Sequence, residues 1–185
     1  MAACLRFTRR VVWKSFVVNK GHDAQCFPNV RLLLLYSYSY LSHLGQLIVE
    51  HAEPGVVKAS LKIEPYNINR VGVTHGGLIM SLTDTMGSLV VATKGYWMTG
   101  VSTDIGASFV RPAGRPGDIV YATSHLTGMG KSLAYTRTEF KNATGDLVAY
   151  GYHTKYIGKA LVHENNVKLS EDGETVLEGK DLEVD

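Results

Sequence analysis

Apolar side chains recur every three to four residues between Leu78 and Ala92, which is the spacing of one face of an α-helix. The positions that make this stripe are Leu78, Leu82, Met86 and Leu89. The stretch contains no proline, and glycines flank it on both sides, as is typical of helix ends. The pattern therefore predicts one long helix whose apolar stripe is buried.

A second face of this helix is unlike an ordinary solvated surface. Turning by about 100° per residue brings together small and polar side chains and one carboxylate, namely Gly77, Ser81, Asp84 and Ser88. Small residues allow another backbone or a ligand to come close. Gly87 costs about 1 kcal/mol relative to alanine inside a helix, which indicates tight packing at that point.

The pattern has period two on both sides of the helix, as expected for strands. Before the helix, residues 44–51 and 56–63 read as a hairpin joined by the turn Glu53-Pro54-Gly55. After it, four further strands are predicted at residues 101–110, 119–127, 132–140 and 147–157. A helix with so wide an apolar stripe has to bury it on one face of a sheet. We predict an α+β fold in which a curved antiparallel sheet of about six strands wraps around one long helix.

Composition agrees with one globular domain and two tails. The chain has 185 residues, of which 45% are hydrophobic and 19% charged, with a net charge of +2 that favours no particular partner. We expect an N-terminal extension at 1–43, the domain at 44–158 and an acidic tail at 159–185 that is largely solvated, with one short strand near 166–169. Two cysteines without C-x-x-C spacing and scattered histidines predict neither a disulfide framework nor a metal site.

The N-terminal extension carries several basic residues and no acidic residue before Asp23. Residues 1–22 can be drawn as an amphipathic helix, which resembles a mitochondrial presequence and predicts a mitochondrial rather than a cytoplasmic location. An unstructured basic arm, or a translated stretch outside the true start, explains the same residues. The apolar stretch at 30–44 is too short and interrupted to span a membrane, which takes about 20 residues.

Candidate chemistry lies at the start of the long helix. The amides of Gly76 and Gly77 have no partner inside the helix and suit an oxygen that is becoming negative. Asp84 adds a carboxylate on the small-residue face. A plain glycine-rich helix start with a solvated Asp84 explains the same residues without function.

Several motifs together resemble the PaaI-like acyl-coenzyme A thioesterases of the hotdog fold. The motifs are Asn69, His75-Gly76-Gly77, Asp84, Val101-Ser102-Thr103-Asp104, Arg111-Pro112-Ala113 with Gly117-Asp118, and Gly151-Tyr152-His153-Thr154-Lys155. The resemblance extends over about residues 44–158. It implies obligate dimers, commonly paired into tetramers, with active sites at the dimer interface and no metal or redox cofactor.

The resemblance also implies roles for individual residues. The Gly76 amide would polarise the thioester carbonyl and Asn69 would orient the reacting group. Asp84, from the partner subunit's helix, would act as general base or as nucleophile, and Ser102 would hold the water or the carboxylate.

The remaining candidates would bind the substrate, which is an acyl-coenzyme A with a fatty or aromatic acyl group. They are His75, Gly77, Arg111 and Lys131. His75 would hydrogen-bond the turn before the helix rather than act in acid–base chemistry. Arg111 and Lys131 would meet the coenzyme A phosphates, although each is also an ordinary loop cation.

Two other functions fit a hotdog fold. A non-catalytic module could bind acyl-coenzyme A without turning it over, and the presence of Asn69, Asp84 and Ser102 together disfavours this alternative. A dehydratase would use a histidine and an acid on a hydroxyacyl chain, but the His-Phe-Pro type of signature expected for one such branch is absent. An α/β-hydrolase is disfavoured because the chain has no G-x-S-x-G nucleophile elbow.

Overall fold

A computed structural model describes residues 2–13 and 47–180 of the chain. Helix α1 (Ala3–Arg6) continues into a π-helical segment (Phe7–Trp13), and helix α2 spans Gly76–Ala92. Short 3-10 turns occur at Pro65–Asn67 and Ala160–Val162. The predictions for residues 14–46, including the apolar stretch at 30–44 and Cys26, lie outside the described residues, as does the end of the acidic tail at 181–185.

Six strands form one antiparallel sheet. They are β1 (Leu47–Glu53), β2 (Val56–Lys62), β3 (Val101–Phe109), β4 (Ile119–Met129), β5 (Leu133–Lys141) and β6 (Leu147–Tyr156). Their order across the sheet is β1-β2-β4-β5-β6-β3. Strand β3 therefore pairs with β6, not with β2 or β4, and lies at an edge of the sheet. The α+β prediction is confirmed. The strand ends agree with the predicted ones to within two residues, apart from the start of β1, which was predicted at residue 44, outside the described residues.

Helix α2 packs along one face of this sheet. It contacts β2, β3, β4, β5 and β6. Five strands about 4.8 Å apart span about 19 Å, whereas a helix with its side chains is about 10 Å wide. The sheet must therefore wrap around the helix, which is the hotdog arrangement.

The predicted apolar stripe of α2 is the centre of the core. Leu82, Met86 and Leu89 are at most 1% exposed, while Leu78 is partly buried against them. The alternating side chains of β2 meet this stripe, since Val57 and Leu61 are buried to the same degree. Each such side chain contributes roughly 1.5–3 kcal/mol when it leaves water.

Two glycines allow β6 to approach α2 closely. A Cβ atom on Gly87 of α2 would lie 2.7 Å from Nδ1 of His153, and one on Gly151 of β6 would lie 2.5 Å from Thr83. Both distances are too short for real atoms, so larger residues would push the strand and the helix apart. The tight packing predicted at Gly87 is confirmed, and it places His153 directly against the helix.

The N-terminal helical segment packs on the body of the protein. Cys4, Phe7 and Val12 belong to the main core cluster. The Cys4 amide donates to the carbonyl of Gly173, which lies in the tail between strands β7 (Lys168–Leu169) and β8 (Val176–Glu178). The short strand predicted near 166–169 is therefore present as part of a hairpin. Targeting to mitochondria stays a prediction.

No helix within residues 2–13 and 47–180 is long and apolar enough to cross a membrane.

Candidate active site

Asp84 lies where the small-residue face of α2 meets β6. On β6, His153 and Lys155 are separated by one residue, so both side chains point to the same face of the sheet, towards the helix. His153 is fully buried and Lys155 is 3% exposed. His153 Nδ1 is 3.5 Å and Lys155 Nζ is 3.9 Å from Asp84 Oδ1. The Asp84 side chain is half exposed, so one end of the carboxyl group contacts these cationic and polar groups and the rest is open to solvent.

His153 links Asp84 to Ser102 on the edge strand β3. Its Nε2 atom is 2.8 Å from Ser102 Oγ. A neutral imidazole with its hydrogen on Nδ1 suits both neighbours, because Nε2 then accepts from the Ser102 hydroxyl and the N–H faces the Asp84 carboxylate. A β-bulge between Ser102 and Asp104 shifts the register of β3 against β6 and so changes the direction of the side chains in this part of the strand. Three side chains from three elements are thus brought to one point.

The electrostatics keep His153 neutral. Burial, together with the positive charge of Lys155, lowers the pKa of His153 to about 4, and Asp84 and Asp104 only partly oppose this. An imidazole in this environment stays uncharged throughout the neutral pH range. Its Nε2 atom can therefore accept a hydrogen bond from the Ser102 hydroxyl group at physiological pH.

We expect this histidine to make the fold sensitive to acid. The ordinary pKa of histidine is 6.5. Between this pH and about pH 4, the unfolded chain binds a proton at His153 and the native chain does not. The free energy of unfolding should therefore fall as the pH drops through this window, by up to about 3 kcal/mol, and should stop responding to this group below it. Urea unfolding of wild type and His153→Gln, compared at each pH, isolates this contribution. If the free energies of unfolding of the two proteins changed equally with pH, this expectation would be wrong.

The start of α2 presents one free amide. His75 is the N-cap residue, and its Nδ1 accepts a hydrogen bond of 2.9 Å from the Gly77 amide. The Leu78 amide donates to the His75 carbonyl. Within the described parts of the chain, the Gly76 amide has no hydrogen-bond acceptor. The ring of Phe109, at the end of β3, lies beside Gly76.

Asn69 shapes the loop that leads into this helix. Its Oδ1 accepts from the amides of Val71 and Val73, at 3.0 and 3.4 Å. Its backbone amide donates to the Val73 carbonyl. These bonds fix the orientation of the side-chain amide, so that the Nδ2 donors are directed away from the loop.

The two candidate phosphate ligands lie at opposite ends of the sheet. Arg111 follows β3 at the end near Gly76, and its guanidinium is 3.4 Å from Asp146. Lys131 is exposed in the turn between β4 and β5, at the end of the sheet where the Ile157 amide bonds to Ser132. A single chain therefore does not bring these two cations together.

His153 and Lys155 belong to one of the sequence motifs given above, but no role was predicted for either residue. A signal was available in their spacing. Both alternate with Tyr152, Thr154 and Tyr156 on a strand whose other face is exposed, so the period of two places an imidazole and an ammonium on the core side. Charged side chains are almost never fully buried without a partner, and such an inward pair points to a site.

Among residues 2–13 and 47–180, no three histidine, cysteine, aspartate or glutamate side chains are grouped closely enough to hold a metal ion.

Comparison with known proteins gives consistent results. The model of the Thioesterase superfamily matches residues 71–149. Human acyl-coenzyme A thioesterase 13 is 37% identical over 116 residues, which cover 62% of this chain and 82% of that protein. The crystal structure of zebra fish thioesterase superfamily member 2 is 25% identical, with a TM-score of 0.63, and the alignment covers 80% of this chain and 94% of that chain. The mouse counterpart is 28% identical, with a TM-score of 0.58, and covers 71% and 96%.

Proposed function

Because this chain belongs to the thioesterase superfamily and is a thioester hydrolase, we propose that it hydrolyses acyl-coenzyme A to the free acid and coenzyme A. The main structural support is the position of the Asp84 carboxylate, which is held between a buried imidazole and a buried ammonium and is open to solvent on its other side. A carboxylate in this position can take a proton from a water molecule. The similarity to a human acyl-coenzyme A thioesterase supports the substrate class.

In the proposed reaction, Asp84 removes a proton from water while the water oxygen bonds to the acyl carbon. The carbonyl oxygen becomes negative and receives a hydrogen bond from the Gly76 amide, with Asn69 Nδ2 as a second donor. When the carbonyl re-forms, the carbon–sulfur bond breaks. The leaving thiolate takes up the proton that Asp84 received. Ser102, bonded to His153, orients the water.

These two groups cannot act on the same carbonyl from one chain. Gly76 and Asp84 are eight residues apart on α2, which corresponds to about 12 Å along the helix axis. A carbonyl within hydrogen-bonding distance of the Gly76 amide is therefore too far from Asp84 of the same chain. We propose that a second copy supplies Asp84, so that each active site contains the helix start of one subunit and the carboxylate of the other.

The edge strand β3 is the proposed contact between the two copies. Its outer backbone groups have no neighbouring strand within the described sheet, and Val101, Phe109 and the following Val110 are 63%, 56% and 48% exposed. Pairing two such edges across a twofold axis covers both. Light scattering should then give twice the chain mass of 20.3 kDa or, if dimers pair again, four times it. A monomer would contradict the proposed site.

Coenzyme A would lie across the same interface. Arg111 of one subunit and Lys131 of its partner come from opposite ends of the sheet, and an antiparallel pairing of two β3 strands brings opposite ends of the two sheets to the same side of the interface. We therefore keep both cations as proposed phosphate ligands.

A thiol-release assay over a panel of acyl-coenzyme A substrates tests the proposed function. The panel should contain short, medium and long fatty acyl chains and aryl acyl groups, and coenzyme A release is followed with a thiol reagent. We expect turnover of at least one class at about 1 s⁻¹ or faster. Tight binding of a substrate without release of thiol would instead support a binding module.

A further inference from the structure

Lys155 is an unusual residue for the inside of a sheet. It is 3% exposed and lies in β6 on the side that faces α2. Its Nζ atom donates a hydrogen bond of 2.8 Å to Ser88 Oγ and is 3.9 Å from Asp84 Oδ1. Burying an ammonium group is costly, and replacing a buried charged side chain by an apolar one of similar volume is often neutral or stabilising. Packing alone therefore does not explain a lysine here.

The geometry links this lysine to the proposed catalytic carboxylate. Ser88 follows Asp84 by four residues, so its hydroxyl lies one helical turn further along the same face of α2. The bond to Ser88 fixes Nζ beside that face, 3.9 Å from Asp84 Oδ1. Among the groups on this face of α2, Asp84 carries a negative charge.

We propose that Lys155 is a positioning residue of the active site, whose ammonium, anchored on Ser88, holds the Asp84 carboxylate in place beside His153. This inference rests on the proposed function, because it assigns the role of Lys155 through Asp84. Lys155 does not touch the thioester. It acts by holding the Asp84 carboxylate where that group can accept a proton from the attacking water.

The groups that face Asp84 are consistent with this role. From β6 they are His153 and Lys155, and from β3 Asp104 acts on the same imidazole. Lys155 is among the causes that lower the pKa of His153, after burial. The imidazole therefore carries no charge, and the Lys155 ammonium places a positive charge 3.9 Å from the Asp84 carboxylate.

Lys155→Met tests the proposal because methionine has a similar length and no charge. We expect kcat to fall about tenfold while KM stays within about a factor of two, because the carboxylate is held less firmly and Lys155 does not touch the substrate. Lys155→Arg should keep most of the wild-type kcat, since it keeps the cation. Lys141→Met, on the exposed face of β5, is the matched control and should leave kcat and KM unchanged.

A second measurement does not depend on turnover. Titration of the His153 ring by NMR should show protonation at higher pH in Lys155→Met than in wild type, because one of the charges that opposes it is gone. An unchanged kcat together with an unchanged His153 titration, in a variant that folds normally by thermal unfolding, would overturn the inference. Absence of thiol release by wild type would instead contradict the proposed function, while the NMR comparison would still decide whether Lys155 sets the charge of this cluster.

Discussion

Asp84→Asn should lower kcat by about a thousandfold while the protein stays folded and keeps its oligomeric state. An amide cannot accept a proton from water, and positioned general bases contribute about 10²- to 10⁴-fold to rates. The substitution keeps the size of the side chain. The Asp84 side chain is half exposed, and the ammonium of Lys155 keeps its bond to Ser88 when the charge of Asp84 is lost. Thiol-release kinetics and light scattering measure the two parts of this expectation.

Glu139→Gln is the matched control for that substitution. Glu139 lies on β5 and pairs with Arg137 and Lys141 on the exposed face of the sheet. Its removal should change kcat by less than a factor of two, since exposed ion pairs contribute little. Equal activity of Asp84→Asn and Glu139→Gln would remove Asp84 from the mechanism.

A single turnover in water enriched in ¹⁸O separates the two roles that the carboxylate could have. If Asp84 is a general base, the first molecule of product acid carries ¹⁸O from the solvent. If it is a nucleophile, it displaces the thiolate to form a mixed anhydride, and when water attacks the Asp84 carbonyl carbon of that anhydride the first product carries an oxygen from Asp84 and the label enters the side chain instead. The proposed mechanism requires labelled acid in the first turnover, measured by mass spectrometry.

Gly76→Pro should lower kcat by about a hundredfold or more, because it removes the backbone amide hydrogen proposed to stabilise the oxyanion. Proline is well tolerated at the first position of a helix, where the amide has no partner inside the helix. His75 precedes it with φ −69° and ψ 133°, which is the extended conformation that a residue before proline adopts. The helix should therefore form as before.

Gly76→Ala controls for the added carbon atoms. Proline and alanine both add a Cβ atom at this position, which would lie 3.4 Å from the Phe109 ring. Only alanine keeps the amide hydrogen. We expect Gly76→Ala to retain most of the activity. Similar losses in both variants would mean that contact with Phe109, not hydrogen bonding to the substrate, accounts for the effect.

Mixing the two inactive variants tests the shared site. If each active site takes Gly76 from one subunit and Asp84 from the other, a dimer of one Asp84→Asn chain and one Gly76→Pro chain has one intact site. Unfolding and refolding an equal mixture should then restore about a quarter of the wild-type activity, since half of the dimers are mixed. No recovery would place both residues of each site in the same chain.

The order of elements and the position of the helix follow from the sequence alone. The spacing of Leu78, Leu82, Met86 and Leu89 predicted α2, and alternation predicted the strands, because hydrophobic burial imposes these periods locally. Gly87 indicated a close contact for the same reason, since glycine inside a helix is unfavourable unless something needs the space.

The partner at that contact could not be read from the sequence. His153 follows Gly87 by sixty-six residues, and only the strand order of the sheet brings β6 to the polar face of α2. The same packing brings Ser102, from the edge strand, to the other side of the imidazole. Distances of 3 to 4 Å between such side chains depend on how strands and helix settle against each other, which no local period encodes.

The sequence by itself determined which residue types stand at each face of each element, and with them the fold and the glycine amide at the helix start. Only the tertiary structure decided which of these faces meet. It placed a buried lysine and a neutral histidine beside Asp84. The physical reason is that burial and charge depend on neighbours distant in sequence, whereas helix and strand periods depend on neighbours a few residues away.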